Sequence, residues 1–134
     1  MGGLHIFGLS HSYGSHKVLD NVGLMIPAGE LVCMLGPSGC GKSTLLRLAG
    51  GLEKVQDGTV VINGVTVGDS KIHLNPEHRH IGLMFQDYAL FPHLNIIENV
   101  TFGLFGMTSV KAHARAMQML DQVSMTSHKD KYPH

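Results

Sequence analysis

The chain has 134 residues, in which ten lysines and arginines balance ten aspartates and glutamates, and 43% of the residues are hydrophobic. This length suits one domain, and the apolar content excludes a disordered or collagen-like chain. Neutral charge argues against a generic binder of nucleic acid or of a membrane surface, since such proteins carry a basic excess. We therefore expect no nucleic-acid partner.

The cysteines and the N-terminal residues indicate a chain from a reducing compartment. Cys33 and Cys40 are too few for a disulfide framework and do not resemble a paired metal site. No basic region followed by a long apolar run begins the chain, so a secretory signal is not expected. The longest clean apolar stretch, 31–35, is far shorter than the roughly 20 residues of a membrane span. We expect a soluble or peripheral chain.

The first half of the chain alternates short apolar segments with glycine-containing turns. Residues 4–29 are typical of two or three short strands, paired antiparallel. The continuous apolar run 30–35 predicts a strand that is buried on both faces. Residues 43–49 are good helix formers, and Gly50 and Gly51 predict the end of that helix.

The second half begins with a predicted hairpin. Asn63 and Gly64 suit a type I′ turn between the β-branched runs 59–62 and 65–67. Residues 68–80 are predicted to be loop, and 81–85 a second buried strand. Two helices are then expected: one from Asn95 through Leu104, and an amphipathic one from Val110 to about Val123.

Residues 36–44 match the P-loop pattern G-x-x-x-x-G-K-[ST]. The glycines permit turns that a Cβ would block, so successive backbone N–H groups can point into one concavity. The helix that follows adds the positive end of its dipole. Lys42 is suited to neutralise β- and γ-phosphates, and the Ser43 hydroxyl is placed to bind Mg²⁺. The motif predicts nucleotide binding but does not specify a reaction.

Two longer stretches resemble the ATP-binding subunits of ABC transporters. They are 31–51, LVCMLGPSGCGKSTLLRLAGG, and 81–104, IGLMFQDYALFPHLNIIENVTFGL. The second is most similar to importers of the ferric-iron, spermidine and sulfate type. Shorter matches are Asp20-Asn-Val, Ile26-Pro-Ala-Gly-Glu30 and Asp57-Gly-Thr. The resemblance implies an α/β fold: a P-loop NTPase core with an N-terminal antiparallel β subdomain and the start of a helical subdomain. It also implies that the family domain is truncated in this chain.

The resemblance also implies domain bounds and site residues. Residues 1–92 would hold the β subdomain and P-loop core, and 93–134 the start of the helical subdomain. Tyr13 lies where the family has an aromatic that stacks on adenine, and Gln86 matches the Q-loop glutamine that contacts Mg²⁺ or water. A strand-edge tyrosine and a solvated loop glutamine are the alternatives for these two residues. The candidate ATP- and Mg²⁺-binding residues are Tyr13, Gly36, Pro37, Ser38, Gly39, Cys40, Gly41, Lys42, Ser43, Thr44 and Gln86, with Ser43 and Gln86 as the metal ligands.

The implied partners are transmembrane permease subunits and a second nucleotide-binding subunit in a head-to-tail dimer. Tyr88, Leu90, Phe91 and Leu94 fall in the region that receives a permease coupling helix in the family, although core packing would equally explain them. The implied location is the cytoplasmic face of the inner or plasma membrane, reached through partners, or the cytoplasm if the chain is unassembled.

Several family motifs do not occur in this sequence. There is no LSGGQ-like signature, no apolar strand ending in Asp-Glu and no later switch histidine. Since phosphoryl transfer needs positioned water and charge stabilisation, we expect this chain alone to bind nucleotide at most.

Three other interpretations remain open. A complete small P-loop phosphotransferase would need basic lid residues, but the only lysine and arginine in residues 95–125 are Lys111 and Arg115. A metal-binding module could use His78 and His80, for which spacing suggests no third ligand. The third is a non-catalytic fragment that binds nucleotide or the transporter partner.

Overall fold

The computed structural model describes residues 2–134. The chain divides between Leu83 and Met84 into two compact units, each with its own hydrophobic core. The antiparallel sheet expected from the sequence lies in the first unit.

The first unit is built on a four-stranded antiparallel sheet in the spatial order β2-β1-β3-β4. Its β1 strand pairs on both sides, because Leu4 lies opposite Ile26 of β2 and opposite Ile62 of β3. The expected antiparallel strands in the first 29 residues are confirmed as two long strands. The strands are β1 (Gly3–Tyr13), β2 (His16–Pro27), β3 (Asp57–Ile62) and β4 (Val65–Gly68).

The predicted hairpin joins β3 to β4. Asn63 and Gly64 have φ values of 50° and 80°, as a type I′ turn requires. The Asn63 side-chain oxygen also accepts the Gly3 N–H at 2.9 Å, which attaches the turn to the start of β1. The turn therefore fixes both its own strands and a third.

Helix α1 (Lys42–Gly50) covers one face of this sheet. It buries Leu45 and Leu48 in the core, as the predicted helix over 43–49 implies. Its end is a Schellman motif: Gly51 N–H donates to the Leu48 carbonyl, and Leu52 N–H donates to the Arg47 carbonyl. The core residues are Ile6, Leu9, Leu19, Leu45, Leu48, Val55, Val60, Ile62 and Val67.

The prediction of two buried strands is wrong. Residues 31–37 and 81–85 belong to no strand or helix, and Leu31 and Leu35 are each 93% exposed. An extended segment becomes a strand only when a neighbour accepts and donates its backbone hydrogen bonds. Within residues 2–134 no strand pairs with either segment, so neither segment becomes a strand with both faces covered.

The second unit contains two helices, α2 (Ile96–Phe102) and α3 (Ser109–Gln122). Both were predicted, although α2 ends two residues before Leu104. Ile97 of α2 packs with Ala116 and Leu120 of α3 in a small core. No helix among residues 2–134 is both long and apolar enough to cross a membrane.

Candidate functional site

The P-loop wraps around the ammonium group of Lys42. Lys42 Nζ donates to the carbonyl oxygens of Gly36 and Pro37, at 2.8 Å each, and lies 3.4 Å from Cys40 Sγ. The lysine thus closes the loop across its own first residues. Two neutral carbonyls leave the charge uncompensated, so an anion could replace or join them.

The start of helix α1 offers backbone donors. The first N–H groups of a helix have no partner within it, and here no side chain caps them because the N-cap residue is Gly41. The Ser43 side chain is exposed in this first turn, whereas Thr44 is buried against the core. Uncapped N–H groups, the positive helix end and a lysine together form a cradle whose chemistry fits phosphate.

Close packing requires glycine at position 41. Gly41 has a φ of +94°, and a Cβ there would lie 2.7 Å from Leu19 Cδ2 and 3.0 Å from the Val18 carbonyl oxygen. The loop therefore rests directly on β2, which holds the start of α1 against the sheet.

Tyr13 lies at the end of β1 and is 44% exposed. Its hydroxyl donates to Glu53 at 3.2 Å, and Glu53 lies 3.8 Å from Arg47 of α1. His11 packs edge-on against the ring at a centroid distance of 4.8 Å and is only 4% exposed. These contacts hold the ring in one orientation with part of it free to stack on a ligand.

Sequence reasoning missed the residues that support Tyr13. Residue alternation from the buried Leu9 could have placed His11 on the inner face of β1. Nothing in the local sequence marks Glu53 as a support for Tyr13, because the two residues lie 40 positions apart. Arg79, a buried residue at the other end of α1, also has no local marker.

Gln86 belongs to the second unit, where it is exposed at the start of a four-residue turn. The turn is strained, since Tyr88 and Ala89 both have positive φ, at 62° and 48°. Asn99 of α2 holds the chain that follows: its amide accepts the Phe91 N–H at 2.9 Å and donates to the Phe91 and Leu94 carbonyls. The turn is thus anchored on its C-terminal side.

The apolar residues after Gln86 differ in exposure. Tyr88, Leu90 and Phe91 are exposed, whereas Leu94 is partly buried. Phe91 packs on Phe102, another exposed ring of the same unit, at a centroid distance of 4.4 Å and an angle of 48° between the ring planes. Core packing therefore does not explain Tyr88 and Leu90, which are both more than half exposed.

The histidines do not form a metal site in the part of the chain that the structure describes. No group of three His, Cys, Asp or Glu side chains in residues 2–134 is arranged to hold a metal ion. His78 and His80 are both exposed, and neither belongs to such a group.

Comparisons with known proteins agree on one family. The family model described as "ABC transporter" matches residues 19–134. The Fe(3+) ions import ATP-binding protein FbpC of Escherichia coli (strain K12) is 43% identical over 122 residues, which cover 90% of this chain and 34% of that protein. The glutamate/aspartate import ATP-binding protein GltL of the same strain is 38% identical over 128 residues, which cover 93% of this chain and 53% of that protein.

Solved structures give the same answer for the fold. The ATP-binding cassette MJ0796, in a dimeric post-hydrolysis state bound to ADP and Pi, superposes with a TM-score of 0.82 at 29% identity. The match covers 97% of this chain and 61% of that one. The chain therefore spans only part of the length of the relatives it matches.

Proposed function

This chain belongs to the ABC transporter family, and on that basis we propose that it binds ATP with Mg²⁺ as part of the ATP-binding subunit of an importer. Residues 1–92 are assigned to the β subdomain and P-loop core, and 93–134 to the start of a helical subdomain. The import proteins among its relatives support the transport role.

The observation that carries the proposal is the position of Lys42. Its ammonium is held by two backbone carbonyls beside the uncapped first turn of α1. In the proposed complex Lys42 and the loop N–H groups bind the phosphates, and Ser43 and Gln86 bind Mg²⁺. Tyr13 stacks on the adenine, which its fixed and partly exposed ring favours.

We propose that the partners of this chain are the permease subunits and a second nucleotide-binding subunit. Exposed Tyr88, Leu90 and Phe91 support permease docking, because exposed apolar clusters are typical of protein interfaces. The dimeric cassettes among the structural matches support pairing. Membrane contact at the cytoplasmic face would then come through the permease.

Titration calorimetry with Mg-ATP tests nucleotide binding. Lys42→Ala should weaken binding at least tenfold, because the phosphates lose their charged partner, about 1.4 kcal/mol or more. Lys111→Ala removes an exposed lysine of α3 and should leave binding unchanged. Equal affinity of the wild type and Lys42→Ala would contradict the proposal.

Phosphate release tests whether the chain alone turns ATP over. Because the sequence contains no signature motif and no Asp-Glu strand end, we expect release at the background rate. Robust turnover that Lys42→Ala abolishes would contradict the binding-only role.

A further inference from the structure

Arg79 is a buried cation that lies outside the proposed nucleotide site. It is only 2% exposed and follows a short 3-10 turn at Pro76–His78. In residues 2–134 no carboxylate lies within ion-pair distance of it. Burial lowers the pKa of the guanidinium, as expected for a charge that is removed from water.

The partners of Arg79 are backbone carbonyls at the end of the P-loop helix. Nη1 donates to the carbonyls of Leu48 and Ala49, at 2.8 and 2.9 Å. Nε donates to the Leu74 carbonyl at 2.8 Å. One side chain therefore joins the C-terminus of α1 to the segment that precedes residue 79.

These bonds extend the cap of α1. The Schellman motif satisfies the carbonyls of Arg47 and Leu48 but supplies no donor for Ala49. Arg79 supplies that donor, and its charge is favoured at the negative end of the helix dipole. The burial of an unpaired guanidinium is thus explained by the helix end it faces.

The surroundings of Arg79 are shaped to admit it. A Cβ on Gly51, which has a φ of +79°, would lie 2.5 Å from Arg79 Nε. A Cβ on Gly68 would lie 3.4 Å from Nη2, an atom that has no hydrogen-bond partner. Two glycines therefore make space for the guanidinium between α1 and β4.

Hydrogen bonds of this kind restrain the helix in a way that its core packing does not. Leu45 and Leu48 hold α1 on the sheet by apolar contact, which is non-directional and permits small slides and rotations. Two directional bonds join the planar guanidinium to the helix end, and a third fixes the guanidinium on Leu74, so the position of the helix end is fixed. The helix has nine residues, so a shift at its end moves Lys42 and Ser43 at its start.

We propose that Arg79 is a positioning residue for the nucleotide site, which fixes α1 so that Lys42 and Ser43 meet the phosphates and Mg²⁺. The inference rests on the proposed function of the P-loop. It assigns the residue no contact with nucleotide. A displacement of about 1 Å at a reacting or binding group lowers affinity or rate by a large factor. A loosely held helix end would therefore weaken binding at the P-loop.

The test compares Arg79→Met and Arg79→Lys with Ile62→Ala, a core variant that destabilises the same unit without touching the end of α1. Mg-ATP affinity is measured by calorimetry at a temperature where circular dichroism shows each protein fully folded. Arg79→Met should bind about tenfold more weakly, Arg79→Lys should retain part of the affinity, and Ile62→Ala should bind like the wild type. If Arg79→Met does not fold, Arg79→Lys carries the comparison.

A second readout separates this inference from the proposed function. Amide hydrogen exchange in the nucleotide-free protein should accelerate at residues 45–48, the first amides of α1 that are hydrogen-bonded within the helix, in the Arg79 variants, while exchange in β1 and β3 stays as in the wild type. If the wild type binds no Mg-ATP, the proposed function fails, and the exchange result still decides the role of Arg79. Wild-type exchange at residues 45–48, or unchanged affinity in a destabilised Arg79→Met protein, would overturn the positioning role.

Discussion

Gly41 joins the P-loop to the sheet, and no larger residue fits there. Gly41→Ala places a Cβ within 2.7 Å of Leu19 in a backbone conformation that alanine avoids. We expect a loss of about 3 kcal/mol in the free energy of unfolding, combining strain with overpacking. Urea denaturation measures it, and Mg-ATP binding should weaken in the same variant.

Gly39→Ala is the matched control for this prediction. Gly39 also has a positive φ, of +82°, but nothing lies within 4 Å of a Cβ there. It should cost about 1 kcal/mol, from backbone strain alone. Equal losses at the two positions would show that packing against Leu19 contributes nothing.

His73 should make the first unit sensitive to acid. Its pKa is lowered by burial, and further by the charges of Arg79 and Lys54, while its Nδ1 atom has no hydrogen-bond partner. Because the folded pKa lies below the unfolded value of about 6.5, the unfolded chain binds more protons between the two. Stability should therefore fall as the pH decreases through this range.

Denaturant unfolding at about pH 7.5 and about pH 5.5 measures the effect. His73→Gln should lose less stability between these two conditions than the wild type. His113→Gln, which removes an exposed histidine of α3, is the control. A pH dependence that His73→Gln leaves unchanged would argue against the contribution of His73.

Among the elements, α2 depends on its capping box. The Asn95 side chain accepts the Glu98 N–H at 2.9 Å, and the Glu98 carboxylate accepts the Asn95 N–H at 2.8 Å. Asn95→Ala should destabilise the second unit by about 1 kcal/mol, since a short helix depends strongly on its caps. Urea unfolding that monitors this unit is the measurement.

Glu98→Gln is the comparison, because glutamine can complete the same box. It should retain most of the stability and lose only the favourable charge at the helix start. If Glu98→Gln loses as much stability as Asn95→Ala, then the contribution of Glu98 comes from its charge and not from its hydrogen bond in the capping box.

Elements encoded by local patterns could be predicted from the sequence. The Asn63–Gly64 turn, the start of α2 and the Gly-rich loop before α1 all depend on residues a few positions apart. The bond from Tyr13 to Glu53 could not be predicted, because these residues lie 40 positions apart. The contacts of Arg79 with the end of α1 could not be predicted either, because they join residues about 30 positions apart. Spacing carries no information on such contacts.

The prediction that the two apolar segments form strands was wrong for a different reason. Residues 31–35 and 81–85 have the composition of buried strands, and composition encodes strand propensity. Formation of a strand also needs a neighbour with free hydrogen-bonding groups, which local sequence does not reveal. Within residues 2–134 that neighbour is not found.

At the scale of the whole molecule, the exposed segments predict self-association. Leu31 and Leu35 project into solvent beside backbone groups that no strand pairs, a combination that promotes contacts between chains. Sedimentation velocity should show species larger than a monomer. Leu35→Lys should reduce them, because it adds a charge to the apolar run.

Val110→Lys is the control, since Val110 is a highly exposed apolar residue on α3 and lies outside the two apolar segments. It should leave the association unchanged. A clean monomer in the wild type would contradict the prediction.

The register of the sheet has a consequence for how the first unit folds. Leu4 pairs with Ile62, so the whole P-loop and α1 lie inside a loop that this pairing closes. The β1–β2 and β3–β4 hairpins are local and can form early, whereas closing the long loop has an entropic cost that only the completed core offsets. We therefore expect the pairing of β1 with β3, and the core that holds α1 on the sheet, to form after the two hairpins.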